Sequence, residues 1–430
     1  HQKMMGGSLF ACERWHLPKQ VAFLKTVCYN QNIQLIKLIH ISFSELQSSK
    51  IPDNDTIECR TDTGRSFVRR KRNRGRIRKS EIVEGGPMRY IQYLTEVILA
   101  WIQMKEGKNF PEKYHHLFET ELSEEGEIRE VYQNLLAEES EEAEKYRRLI
   151  ELCGNTEISR KLLDCCIAGL LYPEFHQFAK EQWNGITLDV MESLCDEEVT
   201  YKEMKQVWEC AGRILQCEKN HGLFLRHVFW ADTRILDYFL DPDVIDEKLT
   251  RVGTELYTGE EDPGEIYVNE AVEQELSDIF RKENRDCVQI VGNTGCGKKF
   301  LLKKACHATG QKMLLADIRQ IQQCKDGLLY PQLLIREGML LDCGICLYHI
   351  SQEALEQVLT HFLRPMLAQN IRVFLCTDME AEVIPRIHSH VEYVLVPAYG
   401  RPERIALWKG FTEEHGIRKQ VDCITAGSKF

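Results

Sequence analysis

The fold of this chain is decided by the stretch Val288-Gln-Ile-Val-Gly-Asn-Thr-Gly-Cys-Gly-Lys-Lys299. An apolar run, Val288 to Val291, precedes the glycines, and a helix-like run, Phe300 to His307, follows them. The spacing from Gly292 to Lys298 fits G-x-x-x-x-G-K, a loop that binds phosphate groups. Its glycines let several backbone N–H groups converge on one phosphate, and the positive end of the next helix adds to the attraction. The stretch therefore predicts a strand, a phosphate loop and a helix.

The predicted nucleotide site consists of this loop, the start of its helix and one residue from a later strand. Lys298 is expected to reach the outer phosphates. The next position should carry a Ser or Thr that holds Mg²⁺, and Lys299 stands there instead. The sequence thus predicts ATP as the cofactor, with an incomplete set of Mg²⁺ ligands. The residues predicted to bind the cofactor are Gly292, Asn293, Thr294, Gly295, Cys296, Gly297, Lys298, Lys299 and Thr377.

Buried runs that alternate with helices predict an α/β fold with a parallel sheet covered on both faces. The predicted strands are Cys287 to Val291, Lys312 to Ala316, Ile345 to His349, Arg372 to Cys376 and Tyr393 to Val396. The predicted helices are Lys299 to His307, Gln332 to Leu341, Glu353 to Leu367 and Pro402 to His415. A ligand is expected at the carboxyl ends of the strands, beside the glycine loop.

The third of these strands should supply the catalytic half of an ATPase site. Hydrolysis needs an Asp that holds Mg²⁺ and a group that orients the attacking water. His349 and Ile350 stand at the two positions, so no catalytic residue is predicted. Glu353 follows closely, and the acid preference of a helix's first turn explains it better than a role as base.

Two further positions are candidates for sensing bound phosphate. Thr377 or Asp378, at the end of the fourth strand, could contact an outer phosphate, and an ordinary strand-end turn is the alternative. Arg386, before the last strand, could reach the nucleotide of a neighbouring subunit.

Composition limits the class of protein. The chain has 430 residues and a net charge of −11, which argues against a surface that binds nucleic acid throughout. No apolar run approaches the ~20 residues of a membrane span, and no secretory signal is visible. The 17 cysteines are scattered through apolar runs, which predicts free, buried thiols in a reducing cytoplasm. A cytoplasmic location and no membrane partner are expected.

The chain divides into four predicted parts. Residues 1–84 hold a basic run of arginines and lysines and are expected to be disordered. Residues 85–252 form a helical, winged-helix-like domain, in which Thr200 to Glu203 matches a helix-capping pattern. Residues 253–267 are a linker rich in glycine and acids, and residues 268–430 form the nucleotide module.

Residues 270–430 resemble an AAA+ ATPase module. The resemblance rests on the glycine loop, on the strand at Ile345 to Tyr348, on the strand at Arg372 to Thr377 and on the run Arg401 to Trp408. It implies a P-loop NTPase fold whose helical lid is missing. Residues 85–250 more loosely resemble the N-terminal part of bacterial AAA+ proteins in which a degenerate module precedes an intact one, a type found with contractile injection systems.

This resemblance implies a function in protein remodelling. The chain would be the N-terminal part of an AAA+ ATPase, with a regulatory or assembly module and with hydrolysis weak or supplied by a second module beyond Phe430. Self-association in a ring and a protein partner or substrate are expected, and nucleic acid is not. Two alternatives stay open: a protein-interaction scaffold with a relic loop, and a DNA-binding AAA+ ATPase that uses the winged-helix-like part and the basic run.

Overall fold

The computed structural model describes residues 87–106, 111–117, 124–218, 222–241, 243–264, 270–282, 287–324, 327, 329–378, 391–414, 416 and 421–429. They all belong to one compact unit, Ile77–Phe430. The predicted segment 1–84, with its basic run, lies outside the described residues.

The first part of this unit is helical. Its helices are α1 (Pro87–Glu106), α2 (Glu125–Leu136), α3 (Glu141–Leu152), α4 (Glu157–Leu171), α5 (Pro173–Trp183), α6 (Leu188–Leu194), α7 (Tyr201–Ile214) and α8 (Thr233–Leu240). A 3₁₀ helix, Glu112–Leu117, lies between α1 and α2.

The helical period predicted from Tyr90 to Met104 is confirmed in α1. Ile91, Leu94 and Ile98 recur at helical spacing and are at most 2% exposed. Helix α1 packs against α4, which is almost wholly buried. The side chain of Thr156 caps the start of α4 by accepting a hydrogen bond from the N–H of Ser159. These two helices form the centre of the helical core.

A carboxylate is enclosed in this core. The Asp164 side chain, 1% exposed, accepts hydrogen bonds from the hydroxyls of Tyr146 and, at 2.9 Å, Tyr132. Burial raises the pKa of Asp164 to about 6, against the lowering effect of the tyrosines and of Lys161. The Nζ atom of Lys161 lies 3.7 Å from the centroid of the Trp101 ring.

The end of the helical region carries a small antiparallel strand pair. Strand β1 (Gln216–Glu218) follows α7 and pairs with β2 (Val228–Trp230). The predicted cap of α7 is confirmed, because the N–H of Thr200 donates to Glu203 Oε2 at 2.8 Å and the N–H of Glu203 donates back to Thr200 Oγ1 at 3.3 Å. The short strand predicted from Gly222 to Phe229 is confirmed only at its end, since Phe224–Arg226 is a 3₁₀ helix. The winged-helix assignment stays a prediction.

The second part of the unit is a six-stranded sheet with helices on both faces. Its strands are β3 (Glu255–Tyr257), β4 (Cys287–Val291), β5 (Met313–Asp317), β6 (Gly344–Tyr348), β7 (Val373–Thr377) and β8 (Val391–Leu395). Their order is β3-β5-β6-β7-β4-β8, and every pairing is parallel except that of β3 with β5. The predicted α/β class with a parallel sheet is confirmed, and the five predicted strands are found within two residues of their predicted ends.

The helices of this part are α9 (Glu247–Arg251), α10 (Glu270–Arg281), α11 (Lys298–Thr309), α12 (Ile318–Gln322), α13 (Tyr330–Leu340), α14 (Gln352–Gln357), α15 (Arg364–Leu367), α16 (Arg401–Glu414) and α17 (Cys423–Lys429). A π-helical turn, Val358–Leu363, joins α14 to α15 within the single helix predicted there.

Alternate residues of the strands enter two separate cores. On one face Leu314, Leu347 and Leu375 pack with α13 and the π-helical turn. On the other face Leu315 and Phe374 pack with α10 and α11. Every one of these five side chains is at most 1% exposed, so the sheet is covered on both sides, as the buried strand runs predicted.

Two details depart from the predicted boundaries. The segment predicted as a linker, residues 253–267, contains β3, which forms the antiparallel edge of the sheet. Helix α9, which the sequence placed in the helical domain, packs in the sheet's core through Leu249, with Ile245 and Val252 beside it. The glycines and acids of residues 253–267 suggested an exposed linker. Tyr257 of β3 is nevertheless only 6% exposed and packs in the core.

A buried ion pair joins the two parts. Arg234 of α8 is 3% exposed, and its Nε donates to both carboxylate oxygens of Glu337, in α13, at 2.9 Å. Arg336 is 3% exposed and bonds Asp232 at 2.7 Å and Asp246 at 2.5 Å. Glu337 is fully buried, and burial raises its pKa while the two arginines oppose the rise.

Two expectations about the whole chain are tested only within the described residues. There the cysteines form no disulfide, and most are buried, as predicted. None of the helices in that part of the chain is both long enough and apolar enough for a transmembrane segment.

Candidate functional site

The glycine loop, residues 292–298, lies where the strand order reverses. From β4 the chain crosses to β5, which is separated from β4 by β7 and β6. After β7, which lies beside β4, the chain crosses β4 and forms β8 on the opposite side of that strand. In open α/β sheets, ligands bind outside the carboxyl end of the strand at such a reversal. The loop that follows β4 occupies this position.

Three glycines give the loop its shape. Gly295 and Gly297 have φ values of 83° and 87°, which side chains with a Cβ rarely adopt. Gly292 is restricted by space instead. A Cβ on this residue would lie 2.6 Å from the Sγ of Cys296 and 2.9 Å from the carbonyl oxygen of Val396. The predicted glycine positions are therefore required by the backbone itself.

Lys298, the first residue of α11, turns back over the loop. Its Nζ donates to the carbonyl oxygens of Gly292 at 2.6 Å and Asn293 at 3.1 Å, and lies 3.5 Å from Asp378 Oδ1. The side chain is 12% exposed. A cation is therefore held beside the loop by dipoles and a carboxylate.

Asp378 faces the loop from the end of β7. The hydroxyl of Thr294 donates to its carboxylate at 3.2 Å, and its side chain is 59% exposed. The side chain of Thr377 points into the sheet instead: it is buried, and its hydroxyl accepts a hydrogen bond from Gln289 Nε2 at 2.9 Å. Its carbonyl oxygen accepts from the N–H of Gly292 at 3.3 Å. The structure thus brings Asp378, of the two sequence candidates, to the loop, and gives Thr377 a place in the sheet.

Lys299, at the position of the expected hydroxyl, extends toward β6. Its Nζ lies 4.4 Å from the centroid of the Tyr348 ring, a cation–π contact. The side chain is half-buried. Tyr348 is the last residue of β6, so the Lys299 ammonium lies at the carboxyl end of that strand.

The carboxyl end of β6 carries a polar cluster that the sequence did not predict. His349 has a φ of 56°, in the left-handed region. Its Nδ1 lies 2.9 Å from Asp317 Oδ2 and 3.1 Å from Arg319 Nη2. Asp317 is 3% exposed, and burial raises its pKa, but His349 and Arg319 outweigh that effect and lower it overall. Asp317 ends β5, and this carboxylate is already paired.

The other sequence candidates do not join the loop. Glu353 lies in the first turn of α14, and Ser351 caps this helix by accepting a hydrogen bond from the N–H of Ala354 at 3.2 Å. The position of Glu353 therefore agrees with the preference for acids at the start of a helix. Arg386 lies outside the described residues. No cluster of three or more His, Cys, Asp or Glu side chains able to hold a metal is found in the part of the chain that the structure describes.

Comparisons with known proteins give little further guidance. No protein-family model matches the chain, and neither does any curated protein. Among solved structures, the chain is similar to one from "Structural Basis for Katanin Self-Assembly", at 14% identity and a TM-score of 0.34. That match covers 43% of this chain and 71% of the other. Similarity at this level carries no argument about function, which must come from the site.

Proposed function

We propose that the α/β part of this chain binds ATP at the glycine loop and serves as a regulatory or assembly module of an AAA+ type remodelling ATPase. The observation that carries the proposal is the position of the loop: it follows the strand at which the sheet order reverses, and it begins α11 with Lys298. The backbone N–H groups of residues 293–298 and the Lys298 ammonium would hold the phosphates.

The conformation of the loop supports anion binding. The αL conformations at Gly295 and Gly297 turn successive peptide groups at the start of α11. Asp378 supplies the negative charge that contacts Lys298 and Thr294. A phosphate group would compete with this carboxylate for the same two partners. In bound ATP, the loop would neutralise the negative charge of the phosphate groups.

Hydrolysis by this module is proposed to be weak or absent. The carboxylates that would hold Mg²⁺ and orient water are replaced by His349 and Ile350. Asp317, at the end of β5, already contacts His349 at 2.9 Å and Arg319 at 3.3 Å. Binding without turnover suits a module that reports nucleotide or holds subunits together, and ring assembly with a protein partner belongs to the same proposal.

Calorimetric titration of the full chain with ATP tests the proposal. Lys298→Ala should weaken ATP binding by about 10- to 100-fold, since a charge-assisted hydrogen bond contributes roughly 1.5–3 kcal/mol. Lys304→Ala is the matched control, because Lys304 lies on the same helix with its Nζ 5.9 Å from the Phe300 ring centroid. The absence of heat and of thermal stabilisation at millimolar ATP would reject nucleotide binding and favour the scaffold with a relic loop.

A further inference from the structure

The residues at the two usual magnesium positions of a phosphate loop do not fit a magnesium ion in this chain. Phosphate loops hold Mg²⁺ through a Ser or Thr hydroxyl after the lysine and a carboxylate on a neighbouring strand. Here the first position carries the Lys299 ammonium, which has no lone pair to offer a metal. The strand β6 ends in the Tyr348 ring and His349 instead of a carboxylate. Mg²⁺ prefers oxygen ligands, and these two positions carry an ammonium and a ring instead of a hydroxyl and a carboxylate.

We propose that Lys299 takes the place of Mg²⁺, so that the loop binds free triphosphate in preference to its magnesium complex. The inference rests on the proposed nucleotide site. Lys299 immediately follows Lys298 in the first turn of α11, so two ammonium groups extend from the start of the helix that follows the loop. The Tyr348 ring at the end of β6 holds Lys299, and Lys298 lies beside Asp378, which follows the neighbouring strand β7. Two cations at the same end of the sheet would together supply the neutralisation that one divalent ion supplies elsewhere.

The contacts of the two lysines support this arrangement. Lys298 is held by two carbonyl oxygens and a largely exposed carboxylate, contacts that a phosphate can replace. Lys299 stacks on an aromatic face, which attracts the cation without neutralising its charge. A cation held in this way keeps its attraction for an anion. A metal ion brought to the same place would meet both ammonium groups and be repelled.

Calorimetry with two forms of one ligand tests the inference. ATP is titrated into the full chain in EDTA and, separately, in excess Mg²⁺. We expect ATP to bind about fivefold or more tightly in EDTA, because free ATP carries more negative charge toward two cations. Binding that requires Mg²⁺, or is tighter with it, would overturn the inference and leave the proposed nucleotide site standing. The absence of binding under both conditions would reject the nucleotide site and the inference together.

Substitution of Lys299 tests whether its side chain causes the preference for free ATP. Lys299→Thr should lower the affinity in EDTA about tenfold and make added Mg²⁺ favourable, reversing the preference of the native chain. Lys304→Thr, on the same helix, should leave both affinities unchanged. The melting temperature of each variant without ligand shows whether it folds as the native chain does. A Lys299→Thr chain that melts normally and keeps the native preference for free ATP would contradict the role given to Lys299.

Discussion

Removing the charge of Glu337 should strongly destabilise the junction between the helical part and the sheet. Glu337 is fully buried, and its partner Arg234 is 3% exposed, with its Nε 2.9 Å from both carboxylate oxygens. Glu337→Gln keeps the shape but leaves a buried guanidinium without its counter-charge. Breaking one side of a buried pair costs about 3–5 kcal/mol. Arg336 keeps Asp232 and Asp246, so we expect a loss near the lower end, about 3 kcal/mol.

Urea denaturation measures this free energy of unfolding. The control is Asp342→Asn, because Asp342 also crosses the junction, 3.4 Å from Arg148, with 53% of its side chain exposed. An exposed pair contributes less than ~1 kcal/mol. The double change Arg234→Met with Glu337→Leu should recover most of the loss, since apolar groups of similar volume replace buried pairs at little cost. Equal effects of Glu337→Gln and Asp342→Asn would refute the reasoning.

Three further substitutions test separate features. Asp378→Asn should tighten ATP binding by at most about fivefold, because the exposed carboxylate that competes for Lys298 is screened by solvent; weaker binding would contradict this competition. The pKa of Asp164 is about 6 in the folded protein, above the ordinary aspartate value of 3.8. Its contribution to stability is therefore fully present below pH 3.8 and is lost as the pH rises through 6. Asp164→Asn should therefore gain about 2.5 kcal/mol relative to the native chain between pH 4 and 7.5 in urea denaturation, and parallel pH curves would contradict this. Thr200→Ala should cost about 1 kcal/mol through the lost cap of α7, whereas an unchanged urea midpoint would show that the cap is not stabilising.

The sheet could be predicted because its information is local. Apolar runs of strand length and the glycines at 292, 295 and 297 each impose a conformation on their own segment. The same locality explains the confirmed period of α1 and the cap at Thr200. Strand β3 escaped prediction because three residues between glycines and acids carry almost no periodic signal, and its strand state depends on pairing with β5.

The candidate site was predictable in its backbone and less so in its side chains. The sequence identified the loop and the missing carboxylates, but of the two candidates Thr377 and Asp378 it assigned Thr377 to the nucleotide, whereas the structure places the Asp378 side chain at the loop. Strand alternation decides that choice, since one side chain enters the sheet's core and the next leaves it. Asp317 and His349 are 32 positions apart, and their contact depends on the pairing of β5 with β6. A polar residue at each of two adjacent strand ends was the signal that could have indicated the cluster.

The contacts of Lys298 with the loop bear on the rate of the proposed nucleotide binding. The glycine turns are already formed, and a phosphate would have to displace only the hydrogen-bonded ammonium of Lys298 and the exposed carboxylate of Asp378. Exposed side chains such as Asp378 change rotamer within picoseconds to nanoseconds, and the release of Lys298 moves one side chain and no backbone segment. Association should therefore show a single phase whose rate rises linearly with ligand concentration, without a slow conformational step.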